Sequence, residues 1–483
     1  MQGEKQMEKQ AVRDRVIALF KEICKIPRPS RQEGKIADFV CSFAEAHGCD
    51  TYRDEKNNVL VKVGATEGCE GLPPILLQSH LDMVCEKNAD SAHDFEKDPI
   101  EYTERDGRLI ADSTTLGADD GAGVAIMLFV IEGGVPAHGP IECLFTAAEE
   151  VGLEGAKAFD YRRISARRMI NLDAGSEGKI TVGCAGGVRS DILFATRLTE
   201  RSGKALRLSV RGLAGGHSGS CIALGLANAI QILTDVLCEI YTATPLSLIS
   251  IGGGDKDNAI PREAEAVIAV EDADVAREIV ARFAENVKKT LTPADAAFSL
   301  DITEECGEIT AMMDAGTTRV LLSFLASVKS GVMSMCASLP ELVEYSKNLA
   351  AVKTDGRGVR VTVSSRSALA WQIEKSMREI DILASLCHGM TYHSGRYPGW
   401  EYAGESKIAD DYAAVFERLY GTLPEREVTH AGLECGIIKG AIPDMDAISA
   451  GPNMYGIHAV GESLDLDSFG RFAFAIATLL TEK

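Results

Sequence analysis

His80 closes the apolar run PPILLQSH and is followed two residues later by Asp82. Period-2 alternation puts both side chains on one side of an extended chain, so the carboxylate can hold a ligating imidazole through its second ring nitrogen or approach the same site. A lone histidine at a strand end is ordinarily structural, but other apolar segments finish in the same way. GPIECLFTAAEE ends in Glu149 and Glu150, RRMINLDAG holds Asp173, and LGADDGAG supplies Asp119 and Asp120 ahead of a second apolar run. Ligands of open α/β sheets gather beyond the carboxyl ends of the strands, so these groups can converge. Once together, four or five carboxylates repel one another unless positive charge compensates them. A divalent metal supplies that charge, and carboxylates with imidazole, without cysteine at the same strand ends, suit Zn²⁺, Mn²⁺ or Co²⁺. Two such ions about 3.5 to 4 Å apart and bridged by one carboxylate lower the pKa of a shared water and polarise a carbonyl. Glu149 and Glu150 cannot point the same way in an extended segment, which leaves one to bind metal and the other to take the water's proton.

Positioning these residues requires strands and helices in alternation. VRDRVIALFKEICKI has the spacing of an amphipathic helix, stopped by Pro27 and Pro29. NNVLVKV, PPILLQSH, GPIECLFTAAEE and RRMINLDAG read as strands, and AGVAIMLFVIEGG as a buried helix that ends at paired glycines. Such strands, apolar on both sides and separated by helices, predict an α/β layer with a mixed, largely parallel sheet flanked by helices. After about Gly187 the pattern changes to KALRLSVRG, IALGLANAIQILTDVL, TPLSLISIGG and EAEAVIAV, and then TTRVLLSFLASV, GVRVTVSSRSAL and WQIEKSMREIDILASLC. These read as two related blocks of an inserted α+β domain. The predicted division is a first domain over 1–187, an insert over 188–393, and a return over 394–483 that carries the polar cluster GIHAVGESLD.

At 483 residues the chain exceeds the roughly 250 to 300 at which single cores stop growing, which fits two domains. Its 46% hydrophobic residues provide for large cores, and a formal net charge of −21 repels nucleic acid and anionic membrane surfaces alike. The N-terminal segment interleaves charges with apolar residues, unlike a signal peptide, and Val124 to Ile131 is far short of the roughly 20 apolar residues of a membrane span. The 13 cysteines are odd in number and scattered, without CxxC pairs, which suits free thiols in a reducing cytoplasm.

SHLDMV, LGADDGAG, TAAEEVGLEGA, NLDAG and GIHAVGE, in that order, resemble the dinuclear zinc exopeptidases of the carnosinase, peptidase T and carboxypeptidase G group. Ordering and length are similar to the aminoacyl-histidine dipeptidase branch of that family. The resemblance implies that His80 and Asp173 hold one metal ion, Glu150 and His458 the other, and Asp119 bridges them. It further implies that Asp82 orients His80 and Glu149 is the general base. Spacing alone does not separate Asp119 from Asp120. In the insert, RGLAGGHSGS matches a stretch whose histidine, here His217, stabilises the oxyanion of the tetrahedral intermediate, within its own chain or across a homodimer. GGHSGS also reads as a turn in which Ser218 or Ser220 caps the next helix. Asn258 in GGDKDNAIPRE, Arg366 in VTVSSRSAL and His430 in THAGLECG are candidate substrate contacts, Arg366 because its guanidinium suits the free carboxylate of a dipeptide.

The function so predicted is hydrolysis of dipeptides, Xaa-His such as carnosine and others, by water activated at two divalent metal ions, zinc first and manganese or cobalt next. N-acyl amino acid deacylation or carboxypeptidase action on the same metal site is the near alternative, and a non-catalytic binding protein the remote one. The predicted setting is a cytoplasmic homodimer with a small peptide substrate and neither nucleic acid nor membrane as partner.

Overall fold

A computed structural model describes residues 2–482 other than 307, 308, 338 and 403, with side chains from Lys9 onward. The chain forms two compact units, one made of Met1–Cys184, Tyr402–Val428 and Leu433–Lys483, the other of Ala185–Glu401 and Thr429–Gly432.

The first unit is built on an eight-stranded sheet in the order Asp50–Arg53, Val59–Val63, Ile141–Thr146, Ile75–His80, Arg168–Asn171, Asp446–Ser449, Lys179–Cys184 and Glu425–Thr429. Its centre is parallel: Ile75–His80 pairs in parallel with both neighbours, and Arg168–Asn171 with Asp446–Ser449. The strands on either side of that centre join antiparallel. The mixed sheet predicted from two-sided apolar strands is therefore present. Every residue of Ile141–Thr146 is buried, as a strand covered on both faces requires. The helix Ala118–Ile131 is buried along nearly its whole length and packs against Ile75–His80. The first helix, Gln2–Ile23, ends before Pro27 and packs against that helix and the C-terminal helix Leu466–Thr481, with Phe20 edge-on to Phe469 at 6.2 Å. A small sheet in the order Met454–Tyr455, Ser463–Asp465, Arg108–Ala111 and Tyr102–Arg105 anchors the GIHAVGESLD segment at both ends. Short strands of this kind, exposed on one side, lack the apolar runs that mark the main sheet.

The second unit carries a nine-stranded antiparallel sheet with helices Ala229–Ala243, Ala273–Lys288, Ala315–Ser327 and Ala370–Leu386. Its two halves join where Gly252 and Gly253 pair with Lys353 and Val352. The predicted strands and helices of the insert form, except that the helix read over IALGLANAIQILTDVL begins only at Ala229, after a short 3-10 turn over Ile222–Leu224. Thr429–Gly432, read from sequence as part of the return, belongs to the second unit: the Ala185 N–H donates to the carbonyls of Thr429 and Ala431, and His430 bonds to Ser346.

Candidate metal centre

Three strands of the parallel centre deliver the first unit's functional side chains just past their carboxyl ends. His80 ends its strand 1% exposed. Its Nε2 lies 2.8 Å from Asp119 Oδ1 and 3.9 Å from Asp173 Oδ1. The other oxygen of Asp119 faces a second histidine, with Oδ2 3.1 Å from His458 Nε2, and the same nitrogen is 2.8 Å from Glu150 Oε1. Asp119 thus stands between two imidazoles, one oxygen toward each. Donor atoms of His80, Asp119 and Asp173 lie within 4.8 Å of one another, as do those of Asp119, Glu150 and His458, and those of His80, Glu149 and Glu150.

Backbone geometry at the strand ends makes this possible. Ala148 has φ of 51°, and the strand stops at Thr146, so Glu149 and Glu150 are not extended and both carboxylates approach His80. The alternation expected of an extended Glu149–Glu150 pair does not apply there. Asp119 and Asp120 leave helical φ/ψ at the start of their helix and diverge. Asp119 turns to the histidines, whereas Asp120 accepts the Gly123 N–H at 3.0 Å and leaves its other oxygen buried and without a hydrogen bond among the described residues. A Cβ on Gly123 would sit 2.6 Å from the Asp120 oxygens, so glycine is required for this approach.

A ring of buried groups holds the centre. Asp82 accepts N–H bonds from Glu149 at 3.0 Å and Glu150 at 3.2 Å and a hydroxyl bond from Ser30 at 2.7 Å. His80 Nδ1 lies 3.1 Å from the Asp82 carbonyl and 3.4 Å from its carboxylate, so Asp82 fixes both the imidazole and the two glutamates. Arg28, 2% exposed, donates to the carbonyls of Leu81, Asp82 and Gly117. Glu462 collects the N–H groups of Leu116, Gly117, Ala118 and Asp119 on its two oxygens. Glu33 accepts the Ala148 N–H at 2.9 Å. Glu434 takes bonds from Gln78 and Thr146 and keeps one buried oxygen without a partner among the described residues. Asp82 apart, sequence reading missed these supports. Glu462 stands four residues after His458 inside a quoted motif, and Glu434 within THAGLECG. Arg28 and Glu33 carry no signal of their own, because their role depends on backbone groups brought together by folding.

The electrostatics follow from this crowding. Burial, together with the charge of Asp119, raises the Asp173 carboxyl well above its ordinary range, and burial with Glu150 and Glu434 nearby does the same to Glu149. Burial, with the charge of Asp119 beside Asp120 and of Asp82 beside Glu434, pushes both up to about 7. Burial opposes charge on Asp119 and His80 as well, but for Asp119 the bonds to His458 and His80 prevail and lower its pKa, and for His80 the bonds to Asp119 and Asp82 raise it. His458 rises to about 10 through its bonds to Asp119 and Glu150. Buried carboxylates crowded beside two imidazoles form a setting that a bound cation would stabilise. Oxygen and nitrogen donors in overlapping triads that share Asp119 fit a pair of divalent metal ions.

The second unit gathers its own candidates. His217 Nδ1 accepts N–H bonds from Gly219 at 3.3 Å and Ser220 at 3.2 Å, which leaves Nε2 to carry the proton. Burial and the charge of Arg366 lower its pKa. The same two causes bring His430 down to about 4, and its Nε2 bonds to the Ser346 hydroxyl at 2.7 Å. Arg366 donates to the Tyr397 hydroxyl at 2.8 Å, while its Nε is buried without a hydrogen bond among the described residues. Asn258 is exposed, and its carbonyl accepts the Ser218 N–H at 2.8 Å. Neither Ser218 nor Ser220 caps the next helix; Asn228 does, accepting the N–H groups of Ile230 and Gln231. Ser190, His393 and Asp381 form a hydrogen-bonded chain of 2.9 and 3.0 Å, but Ser190 is fully buried, so no substrate reaches it.

Parallel strands with imidazole and carboxylate donors clustered past their ends define a class, the metal-dependent hydrolases of α/β architecture. The chain belongs to Peptidase family M20/M25/M40, whose profile matches residues 76–482, and it is a hydrolase acting on peptide bonds. It is 34% identical to the cytosol non-specific dipeptidase of Escherichia coli (strain K12), covering 96% of both chains. The crystal structure of aminoacylhistidine dipeptidase from Vibrio alginolyticus superposes with a TM-score of 0.87 at 32% identity, again over 96% of each chain. Human carnosine dipeptidase 1 shares the fold alone, with a TM-score of 0.52 at 12% identity over 99% of this chain and 98% of that one. The family read from the motifs is therefore the family of the chain. No helix among the described residues is long and apolar enough to cross a membrane.

Proposed function

We propose that the protein hydrolyses dipeptides with free ends, Xaa-His among them, in the cytoplasm as a homodimer, with two divalent metal ions, zinc first. The observation that carries this reading is Asp119 set between His80 and His458, one carboxylate oxygen toward each imidazole. His80 and Asp173 would hold one ion, Glu150 and His458 the other, with Asp119 shared. Such a pair, when bound, supplies Lewis acidity toward the scissile carbonyl and lowers the pKa of water. Glu149 takes the attacking water's proton and returns it to the departing amine. Asp82 keeps His80 and the Glu149–Glu150 backbone in register for that transfer. To the inserted unit, whose sequence boundaries are 188–393, we assign a lid. His217, protonated on Nε2, would donate to the developing oxyanion, and Arg366, with its unpartnered Nε, would receive the substrate carboxylate. Asn258 and His430 complete the contacts. A pocket that binds both charged ends of its substrate excludes longer peptides.

Metal-free protein reconstituted with Zn²⁺, Mn²⁺ or Co²⁺ tests the reading on carnosine, Ala-His, Gly-Gly, Leu-Leu, a tripeptide and N-acetyl-methionine. Metal-dependent cleavage of the dipeptides is expected, and the ratio of His-containing to other dipeptides measures the Xaa-His preference. Cleavage of N-acetyl-methionine alone would move the protein to the deacylases, and silence with metal bound would overturn catalysis altogether.

A further inference from the structure

A cavity of about 440 Å³ opens within the second unit between helix Ala370–Leu386, strands Gly331–Met335 and Val343–Asp355, and the residues ending helix Ala315–Ser327. That is the size of a small-ligand site. None of the catalytic candidates lines it. Two of its polar groups are buried and unused: the Tyr345 hydroxyl, on a residue 3% exposed, and Gln372 Oε1, on a residue 6% exposed, have no hydrogen-bond partner among the described residues. Leaving such groups buried and unpaired is unfavourable, so a partner of matching chemistry is favoured.

The rest of the lining defines that partner. Lys329, Lys347 and Lys375 face the cavity with Glu379 as the single acid. Lys347, 8% exposed, is paired to Glu379 at 2.6 Å, and Lys375 reaches the same carboxylate at 3.7 Å. The lysines exceed the acid by two charges, a field that draws a carboxylate. Gln372 Oε1 accepts only, so the ligand must also bring a donor, which an ammonium beside a carboxylate supplies. Val328, Ile380 and Leu383 supply an apolar wall.

We propose that this cavity is a binding site for a free α-amino acid with an apolar side chain. Its carboxylate takes bonds from the Tyr345 hydroxyl and the lysines, its ammonium donates to Gln372 Oε1, and its side chain lies on the apolar wall. The lining strand also carries Ser346, between Tyr345 and Lys347, whose hydroxyl holds His430, so the cavity and the His430 cluster share one strand. Binding rests on the cavity alone and does not require the peptidase reading, although the ligand class is a product of dipeptide cleavage.

Isothermal titration calorimetry of the metal-loaded full chain with L-leucine tests the site, with isocaproate, isoamylamine and inorganic phosphate as probes lacking one or more of the three features. Tyr345→Phe and Gln372→Leu should each weaken one leucine-binding event about tenfold or more and leave Leu-Leu turnover within about twofold. Isocaproate and isoamylamine should bind at least about tenfold more weakly than leucine. Wild-type isotherms in both variants would overturn the proposal, as would full displacement of leucine by phosphate, which would mark a plain anion site. Tyr345→Phe removes one oxygen from a buried ring, so it retains the test if Gln372→Leu does not fold.

Discussion

At the scale of single residues, the adjacent acids separate by role. Glu149 and Glu150 both approach His80, but only Glu150 also contacts His458, at 2.8 Å. Glu149→Gln should therefore lower kcat by about 10²- to 10⁴-fold while the metal content measured by plasma emission stays that of wild type. Loss of metal in this variant would make Glu149 a ligand instead of a base. Asp119 and Asp120 separate in the same way. Asp119→Asn should abolish binding of both ions, because one oxygen serves each histidine, whereas Asp120→Asn, facing Gly123, should retain them. His430 gives a pH signature away from the carboxylates. Its folded pKa of about 4 lies below the ordinary value of 6.5, because burial disfavours the imidazolium. The unfolded chain therefore takes up the proton first. Stability is intact above about pH 6.5 and falls toward pH 4 by as much as about 3 kcal/mol. Urea unfolding at pH 7 and pH 4.5 should show this loss, and His430→Gln should reduce it.

At the scale of elements, the centre depends on how strand ends and one helix start are held. Glu462 satisfies four successive N–H groups ahead of and within the start of helix Ala118–Ile131. Removing it leaves buried donors unpaired and frees the segment that aims Asp119. Glu462→Ala is expected to cost on the order of 3 kcal/mol in unfolding free energy and to weaken metal binding by about 10- to 100-fold, although Glu462 is no ligand. Equilibrium dialysis against a competing chelator measures the second effect. Unchanged affinity would show that the helix start is held by its packing alone.

At the scale of the whole molecule, folding brings like charges together and the cation repays that cost. Asp119, Asp173, Glu149 and Glu150 come from two separate strand ends and a helix start, so the unfolded chain does not suffer their repulsion. Metal binding should thus be coupled to stability. At a free metal concentration about 100 times Kd, one site adds about 2.7 kcal/mol. Differential scanning calorimetry should show Tm rising with Zn²⁺ and falling after chelation, and the Asp119→Asn variant should show neither change.

The sequence by itself determined which motifs carry the candidate ligands, and their order along the chain. Two-sided apolar strands ending in His80, Glu149–Glu150 and Asp173 carry their chemistry next to the pattern that places it, because strand ends are marked by where the apolar run stops. The alternation of strands and helices likewise made the parallel centre and an inserted α+β unit legible, whereas the antiparallel pairing within the insert came from the structure. What only the tertiary structure decided is how neighbouring side chains diverge and what holds them. Extended geometry forbade Glu149 and Glu150 from converging, yet the left-handed φ of Ala148 lets both approach His80. Asp119 and Asp120 part because each finds a different partner in space. The roles of Arg28, Glu33, Glu434 and Glu462, and the unpaired groups of the Tyr345–Gln372 cavity, were hidden for the same reason. Each depends on hydrogen bonds to atoms far away in the chain, and such pairings leave no periodicity to read.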